Sequence, residues 1–371
     1  MKVSTITCHD VYNHGASLQA YALQQYLTNI GLDSQIINYK PPYLSNQYKM
    51  LSINNPKWKK NLVTKTFYLV CHFPFRIISL RRKKNFDKFT SKNLKISEKK
   101  FTSIQELKTD CPDADFYICG SDQIWNCLHN NGKDPSFYLE FAPENKVKFS
   151  YAASFATEVI PEKYREFVET NVKKLDGVSV RESSGVDLLK ALGISAVNVV
   201  DPVFLLNKQE WFKFSKKKPK EKYILIYDFD NSNLIKEIAL DIKKKTGLKI
   251  YIINQSKQRY YDKSYALVGP DSFVNLIKNA EVVISNSYHA AVFSIIFEID
   301  FYIVNRSESI NTRMRDLLYD LKLESRLIRE ENLNREQLLN KIDYDETRVI
   351  LNKKITLSKK FLRENLVLKK E

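Results

Sequence analysis

Glycine and proline are scarce in this chain: 9 and 11 among 371 residues. That argues against a fold built from repeated turns, and no internal repeat of fixed period is visible. Cysteine is sparse too. The five thiols, at 8, 71, 111, 119 and 127, are odd in number and show neither CxxC pairing nor a Cys/His zinc spacing. They read as reduced thiols of a cytosolic protein. KVSTIT runs straight into a polar loop instead of an apolar h-region, so no secretory leader is expected. GxGxxG and GxxxxGKS/T are both missing, which removes the signals for dinucleotide and Walker-type nucleotide binding. The Asp-x-Asp at 228–230 comes just after an expected strand and is read as a turn.

Positive charge is what the chain has in excess. The net charge is +16, and residues 57–100 hold 14 Lys/Arg against 2 Asp/Glu. Most of the imbalance therefore sits in one short segment. The same segment is greasy, interleaving Phe67, Tyr68, Phe73, Phe75, Ile77 and Ile78 with Lys65, Arg76 and the basic run 81–84. Lys65, His72, Pro74 and Arg76 interrupt it too often for a spanning helix. Two readings stay open: an interfacial element lying on anionic lipid, or a helical hairpin packed on its own domain with a solvated basic face. No nucleic-acid recognition motif accompanies the charge, so nucleic acid is not expected as a partner.

Hydrophobic residues make up 43% and charged residues 27%, the balance of a folded globular protein, and the length suggests two domains. Strand and helix patterns alternate. KVSTIT reads as a strand, and the next helix puts Leu18, Ala22, Tyr26 and Ile30 on one stripe before stopping at Gly31. SQIINY, ADFYICG, VKFSYAAS, GVSVR and AVNVVDP are further strands, and SSGVDLLKALG is a helix capped by Ser183 or Ser184 and ended by Gly193. The pattern breaks at Asp201-Pro202, where VFLLNKQEWFKFSKKKPKEK reads as a lysine-rich linker. Alternation then restarts with YILIYDF. The expected fold is α/β: two Rossmann-like doubly wound domains. The expected division is 1–206 with a basic insertion at 57–100, then 207–334, then helices at 335–371 that could cross back to the first domain.

Ligands of open parallel sheets bind beyond the carboxyl ends of the strands. His9, Asn13, His14 and Gly15 follow the first strand. Gly120, Ser121, Asp122, Gln123, Trp125 and Asn126 follow another; Arg181, Glu182 and Ser183 a third; Ser285, Asn286, Ser287 and His289 a fourth. Arginine, histidine, hydroxyls and the N–H groups of helix N-termini all attract anions.

The blocks CHDVYNHGASLQAYALQQYL, YICGSDQIWN, VSVRESSGVDLL, VVDPVFLL, ISNSYHAAVFSIIF and NTRMRDLLYDL occur in the order seen in polysaccharide pyruvyl transferases, which the chain resembles from residue 8 to about 320. The resemblance implies two Rossmann-like domains facing each other in the GT-B-like arrangement. It also implies transfer of pyruvate from phosphoenolpyruvate onto two sugar hydroxyls, with a cyclic ketal formed and phosphate released. Arg181 and His289 match positions implicated in holding phosphoenolpyruvate. The sequence departs from the usual Phe-His-Gly with Tyr288-His289-Ala290.

Phosphoenolpyruvate carries about −1.5 to −2 on its phosphate and a further carboxylate, so a fixed cation is expected at its site. The expected roles are catalytic for His289, Asp122 and Arg181. Donor binding is expected from Arg181, His289, Ser287, Asn286, Gly15 and Ser121, with Gly15 admitting the substrate closely. Acceptor binding is expected from Asn13, His14, His9, Gln123, Trp125 and Arg313. Neither a metal nor a cofactor beyond the donor substrate is expected. The partners are then a glycan or lipid-linked sugar and, through 57–100, the inner face of the plasma membrane. A nucleotide-sugar glycosyltransferase and a non-catalytic glycan- or anion-binding protein are the alternatives.

Overall fold

A computed structural model describes residues 1–44, 53, 58, 61–216, 218–254, 259–308 and 310–367. The first half runs β1 (Lys2–Ile6), α1 (His14–Asn29), β2 (Asp33–Ile36), α2 (Leu62–Asn93), α3 (Ile104–Thr109), β3 (Phe116–Cys119), β4 (Val147–Ser150), α4 (Glu162–Val172), β5 (Ser179–Val180), α5 (Ser183–Lys190) and β6 (Val197–Asn198). The second runs α6 (Lys208–Trp211), β7 (Tyr223–Tyr227), α7 (Asn233–Thr246), β8 (Lys249–Ile252), β9 (Lys263–Ser264), α8 (Pro270–Lys278), β10 (Val282–Ser285), α9 (Tyr288–Phe297), β11 (Asp300–Val304), α10 (Thr312–Asp320), β12 (Leu327–Ile328) and α11 (Asp345–Asn365).

All paired strands are parallel. The first sheet has the order β2-β1-β3-β4, and the bridges Phe149 to Gly177 and Ala153 to Val180 join the β5-β6 pair to its β4 edge. The second has the order β12-β11-β10-β7-β8-β9. Renumbered within its own half, that is the 3-2-1-4-5-6 order of a doubly wound sheet. Each sheet is therefore reversed in strand order at one point, between β1 and β3 in the first and between β7 and β10 in the second. The fold is two Rossmann-like lobes of the GT-B type.

Strand cores are buried on both faces, as in Tyr223–Tyr227, because helices cover each sheet twice. The 202–214 stretch is core and not linker: Val203, Phe204, Leu205, Trp211 and Phe214 are all buried. The lysines that suggested a linker lie beside a regular apolar set, and the 3-10 turn Pro202–Leu205 packs that set against α1. The N-cap of α5 is Glu182, with no side-chain cap from Ser183 or Ser184. In α11, Ser358 accepts from the Val200 N–H at 2.9 Å, and Phe361 packs edge-on to Phe149 of the first sheet at 6.2 Å.

Among the described residues, the basic segment holds one continuous helix, α2 (Leu62–Asn93), and no hairpin. Positions 57, 59 and 60, and the side chains at 74 and 75, lie outside the described residues. Only the C-terminal part of α2 is seated. Phe86 lies against His14 at 4.9 Å between centroids, and Phe89 lies against Tyr21 and Phe214. No helix among the described residues is long and apolar enough to cross a membrane.

Candidate active site between the lobes

The two switch points meet. Helix α1 leaves β1 and α9 leaves β10, and their N-termini touch: a Cβ added at Gly15 would lie 2.0 Å from His289 Nδ1. Gly15 therefore makes room for a histidine of the other lobe, not for the substrate. Asn13 caps α1, its Oδ1 accepting from the Gly15 and Ala16 N–H groups at 2.9 and 3.3 Å. His14 is wholly buried at the same junction. Its Nδ1 is 3.0 Å from the Tyr227 hydroxyl, its Nε2 is 3.1 Å from the Val268 carbonyl, and its ring stacks on Phe273. Burial, with Arg82 nearby, lowers its pKa to about 3. A neutral imidazole that spends both nitrogens across the lobe boundary is a fastener, not an acceptor site.

Beneath this contact lies a charged node. Arg181 Nη1 donates to Asp201 Oδ2 at 2.7 Å, and His289 Nε2 is 3.5 Å from the same oxygen. Burial works against the Arg181 charge, but Tyr288, Asp201, Asp122 and Glu182 more than offset it and raise its pKa. Asp201 loses solvation by burial, yet His289 and Arg181 hold it well below the usual carboxylate range. Glu182 is pushed up by burial in spite of Arg181. From the second lobe comes Arg313. Its Nη1 is 3.7 Å from Asp122 Oδ1, and Arg181 Nη2 is also 3.7 Å from that oxygen. Gln123, with its amide oxygen turned toward Arg313, accepts from both terminal nitrogens at 2.9 and 2.8 Å. Burial, with Arg181 beside it, lowers Arg313 to about 10. The Tyr288 ring faces both guanidiniums, at 4.5 Å from Arg181 and 5.8 Å from Arg313. Arg181 Nε and Nη2 and Arg313 Nε make no hydrogen bond.

The fixed cation expected at a donor site, Arg181, is enclosed here and matched by acids. The node's two arginines meet three carboxylates, and Arg181, Glu182 and Asp201 side chains have no exposure. Beside Arg181 and Asp201 there is only about 20 Å³ of space, room for a water. Asp122, 16% exposed at its side chain, is the carboxylate at the edge. It sits in the left-handed region, φ 71°, which aspartate tolerates better than most residues. With Gln123 it lines a cavity of about 420 Å³ that also touches Cys8, Val11, His129 and Asn131. That cavity shares Leu128 with one of about 500 Å³, lined from the second lobe by Asn311, Thr312 and Arg315. It shares Val11 with one of about 400 Å³ around Asn13, Arg82 and Asp228.

Several expected residues are spent elsewhere. Trp125 is fully buried, stacked on Tyr138, its Nε1 donating to the Phe137 carbonyl at 3.1 Å, so no face is left for a sugar. Ser121 is buried, with its N–H on Gln19 and its hydroxyl on the Ala152 carbonyl. The Asn286 amide is consumed by the 228–230 turn, donating to Asp228 Oδ1 and accepting from the Phe229 N–H. Ser287 is the buried N-cap of α9, without a side-chain cap bond. His9 is buried, its Nδ1 3.3 Å from the Thr7 carbonyl, and burial lowers its pKa. Asp201 and Tyr288 were missed as members of the site, and Glu182, grouped with Arg181 at its strand end, was given no role there. Their signal was adjacency: each stands inside a matched block or beside Arg181 or His289.

The chain matches the family described as Polysaccharide pyruvyl transferase over residues 13–308. No curated protein matches it. Among solved structures it is similar to the UDP-N-acetylglucosamine 2-epimerase of Rickettsia bellii, with a TM-score of 0.52 and 13% identity over 98% of this chain and 95% of that one. It is also similar to Arabidopsis thaliana UGT89C1 complexed with UDP-L-rhamnose, with a TM-score of 0.50 and 9% identity over 98% and 97%. At these identities the likeness shows the fold alone.

Proposed function

The chain belongs to the polysaccharide pyruvyl transferase family, and on that premise we propose that it moves pyruvate from phosphoenolpyruvate onto a sugar. The acceptor is a unit of a surface polysaccharide or of its lipid-linked precursor. Two of its hydroxyls become bridged in a cyclic ketal, and phosphate leaves.

One observation carries the reading: a guanidinium from each lobe meets at Asp122, the carboxylate of the node that lines the cavity of about 420 Å³. Ketal formation adds a proton to the methylene carbon, joins a sugar oxygen to the neighbouring carbon, and breaks that carbon's bond to phosphate. The second hydroxyl then closes the ring. The two hydroxyl protons end on the new methyl group and on phosphate, so a base beside a cation is what the reaction requires. Asp122 is the base that takes the hydroxyl proton. Arg313, with Gln123, faces the donor's negative charge. Arg181 and His289 are positioning residues: they share Asp201 and hold Asp122 and Tyr288 in place.

Incubation with phosphoenolpyruvate and a glycan panel tests this, reading phosphate release and the mass of the product. Arg313→Ala should cut turnover about 10²–10³-fold, the cost of losing one preorganised charge stabiliser. Consumption of a nucleotide sugar without phosphate release from phosphoenolpyruvate would replace the reading with glycosyl transfer.

A further inference from the structure

The part of α2 that does not reach the lobes is an arm. Leu62, Val70 and Phe67 are 78%, 66% and 59% exposed, and Val63, Phe73, Ile77, Ile78 and Leu80 are exposed with them. Val63, Phe67, Val70, Phe73 and Ile77 recur three or four residues apart, so they form one stripe. Lys65 and Arg76 stand off that stripe, and no acidic residue occurs from 62 to 86.

Where the arm meets the body lies the largest cavity described above or here, about 620 Å³, unconnected to the node. Asn85, Lys88, Phe89 and Lys92 of α2 form one wall; Lys213 and Lys216 form another; the start of α8, at Gly269, Asp271 and Ser272, forms the floor. Lys216 is paired with Asp271 at 2.6 Å. Lys88, Lys92 and Lys213 have no carboxylate partner among the described residues. Burial, with Lys92 as neighbour, lowers the Lys213 pKa, a like-charge tension that an anion would relieve. The start of α8 adds the positive end of a dipole, though Pro270 carries no N–H and the Ser272 N–H is taken by Asp271 Oδ1.

We propose that arm and cavity together dock the protein on an anionic membrane, with the apolar stripe among the acyl chains and the lysine cavity holding a lipid phosphate headgroup. Charge decides the occupant: two copies of this chain would bring basic arms together, whereas an anionic leaflet complements them. The docking surface does not depend on which reaction the node performs. It does explain why the Asn13 cavity is lined by Ser79 and Arg82 of the same helix: a lipid-linked sugar would arrive along the arm.

Co-sedimentation of the full chain with phosphatidylcholine vesicles, with and without phosphatidylglycerol, tests this. Binding is expected only with phosphatidylglycerol and should fall with added salt. Lys88→Gln, Lys92→Gln and Lys213→Gln should each weaken it about fivefold, and Phe67→Ser/Phe73→Ser should weaken it further. Calorimetry with inorganic pyrophosphate separates sources: pyrophosphate bound without any vesicle binding would overturn membrane docking in favour of a free phosphate ligand. Equal binding to neutral vesicles, or lysine variants that bind undiminished, would overturn the cavity assignment. Self-association abolished by the phenylalanine variant, with vesicles ignored, would make the arm an interface between copies. Phosphate release on a soluble acceptor should be unchanged in the lysine variants, which keeps this outcome separate from that of pyruvyl transfer.

Discussion

Two regions of this molecule are rich in arginine and lysine, and they treat charge in opposite ways. At the node, Arg181 and Arg313 are enclosed by Asp122, Glu182 and Asp201, with Asp201 only 2.7 Å from Arg181. Along α2, Lys65, Arg81 and Lys84 are exposed to water, as are Phe67 and Val70 of the same helix. The difference follows from solvation. A charge withdrawn from water costs several kcal/mol unless a counter-charge is fixed beside it, whereas an exposed one is already solvated. A buried arginine therefore marks a place where geometry is held, and an exposed basic stripe marks a place where a partner is met.

The largest break in that comparison should come from Asp201→Ala. It strips a fully buried guanidinium of its partner and should cost about 3–5 kcal/mol of stability, read as a lowered denaturation midpoint. A variant as stable as the parent would mean that Arg181 is solvated after all. Gly15→Ala comes next. Its methyl would collide with the His289 ring, an overpacking worth about 1–3 kcal/mol, and turnover should fall with stability because the lobes are forced apart. Unaltered turnover would show that the α1–α9 contact does not shape the site.

Acid should act on the junction through His14, whose folded pKa of about 3 lies below the ordinary 6.5. The unfolded chain takes up the proton first. This group's contribution is thus complete above pH 6.5 and is lost as pH falls toward 3, by about 1.4 kcal/mol for each pH unit. Comparing the pH dependence of unfolding in His14→Gln with that of the parent isolates it, and identical slopes would refute the assignment. The smallest effect belongs to the arm: Phe67→Ser/Phe73→Ser should change stability by no more than about 0.5 kcal/mol. A large loss there would show that the stripe is packed on the body.

Much of the fold was legible because periodicity is local. Strand and helix alternation follows from which residues are apolar at spacings of two or of three to four, and the strand ends collect Asp122, Arg181 and His289 from the sequence alone. The charge of α2 was equally plain, since composition needs no neighbours to be read. Pairing across the chain could not be read this way. That Gly15 yields to His289, that Asp201 claims Arg181, and that Trp125 and the 202–214 stretch lie inside the core depend on contacts between residues far apart in sequence. Such contacts are chosen by close packing and by the cost of leaving a buried charge alone, and both act only once the two lobes have met.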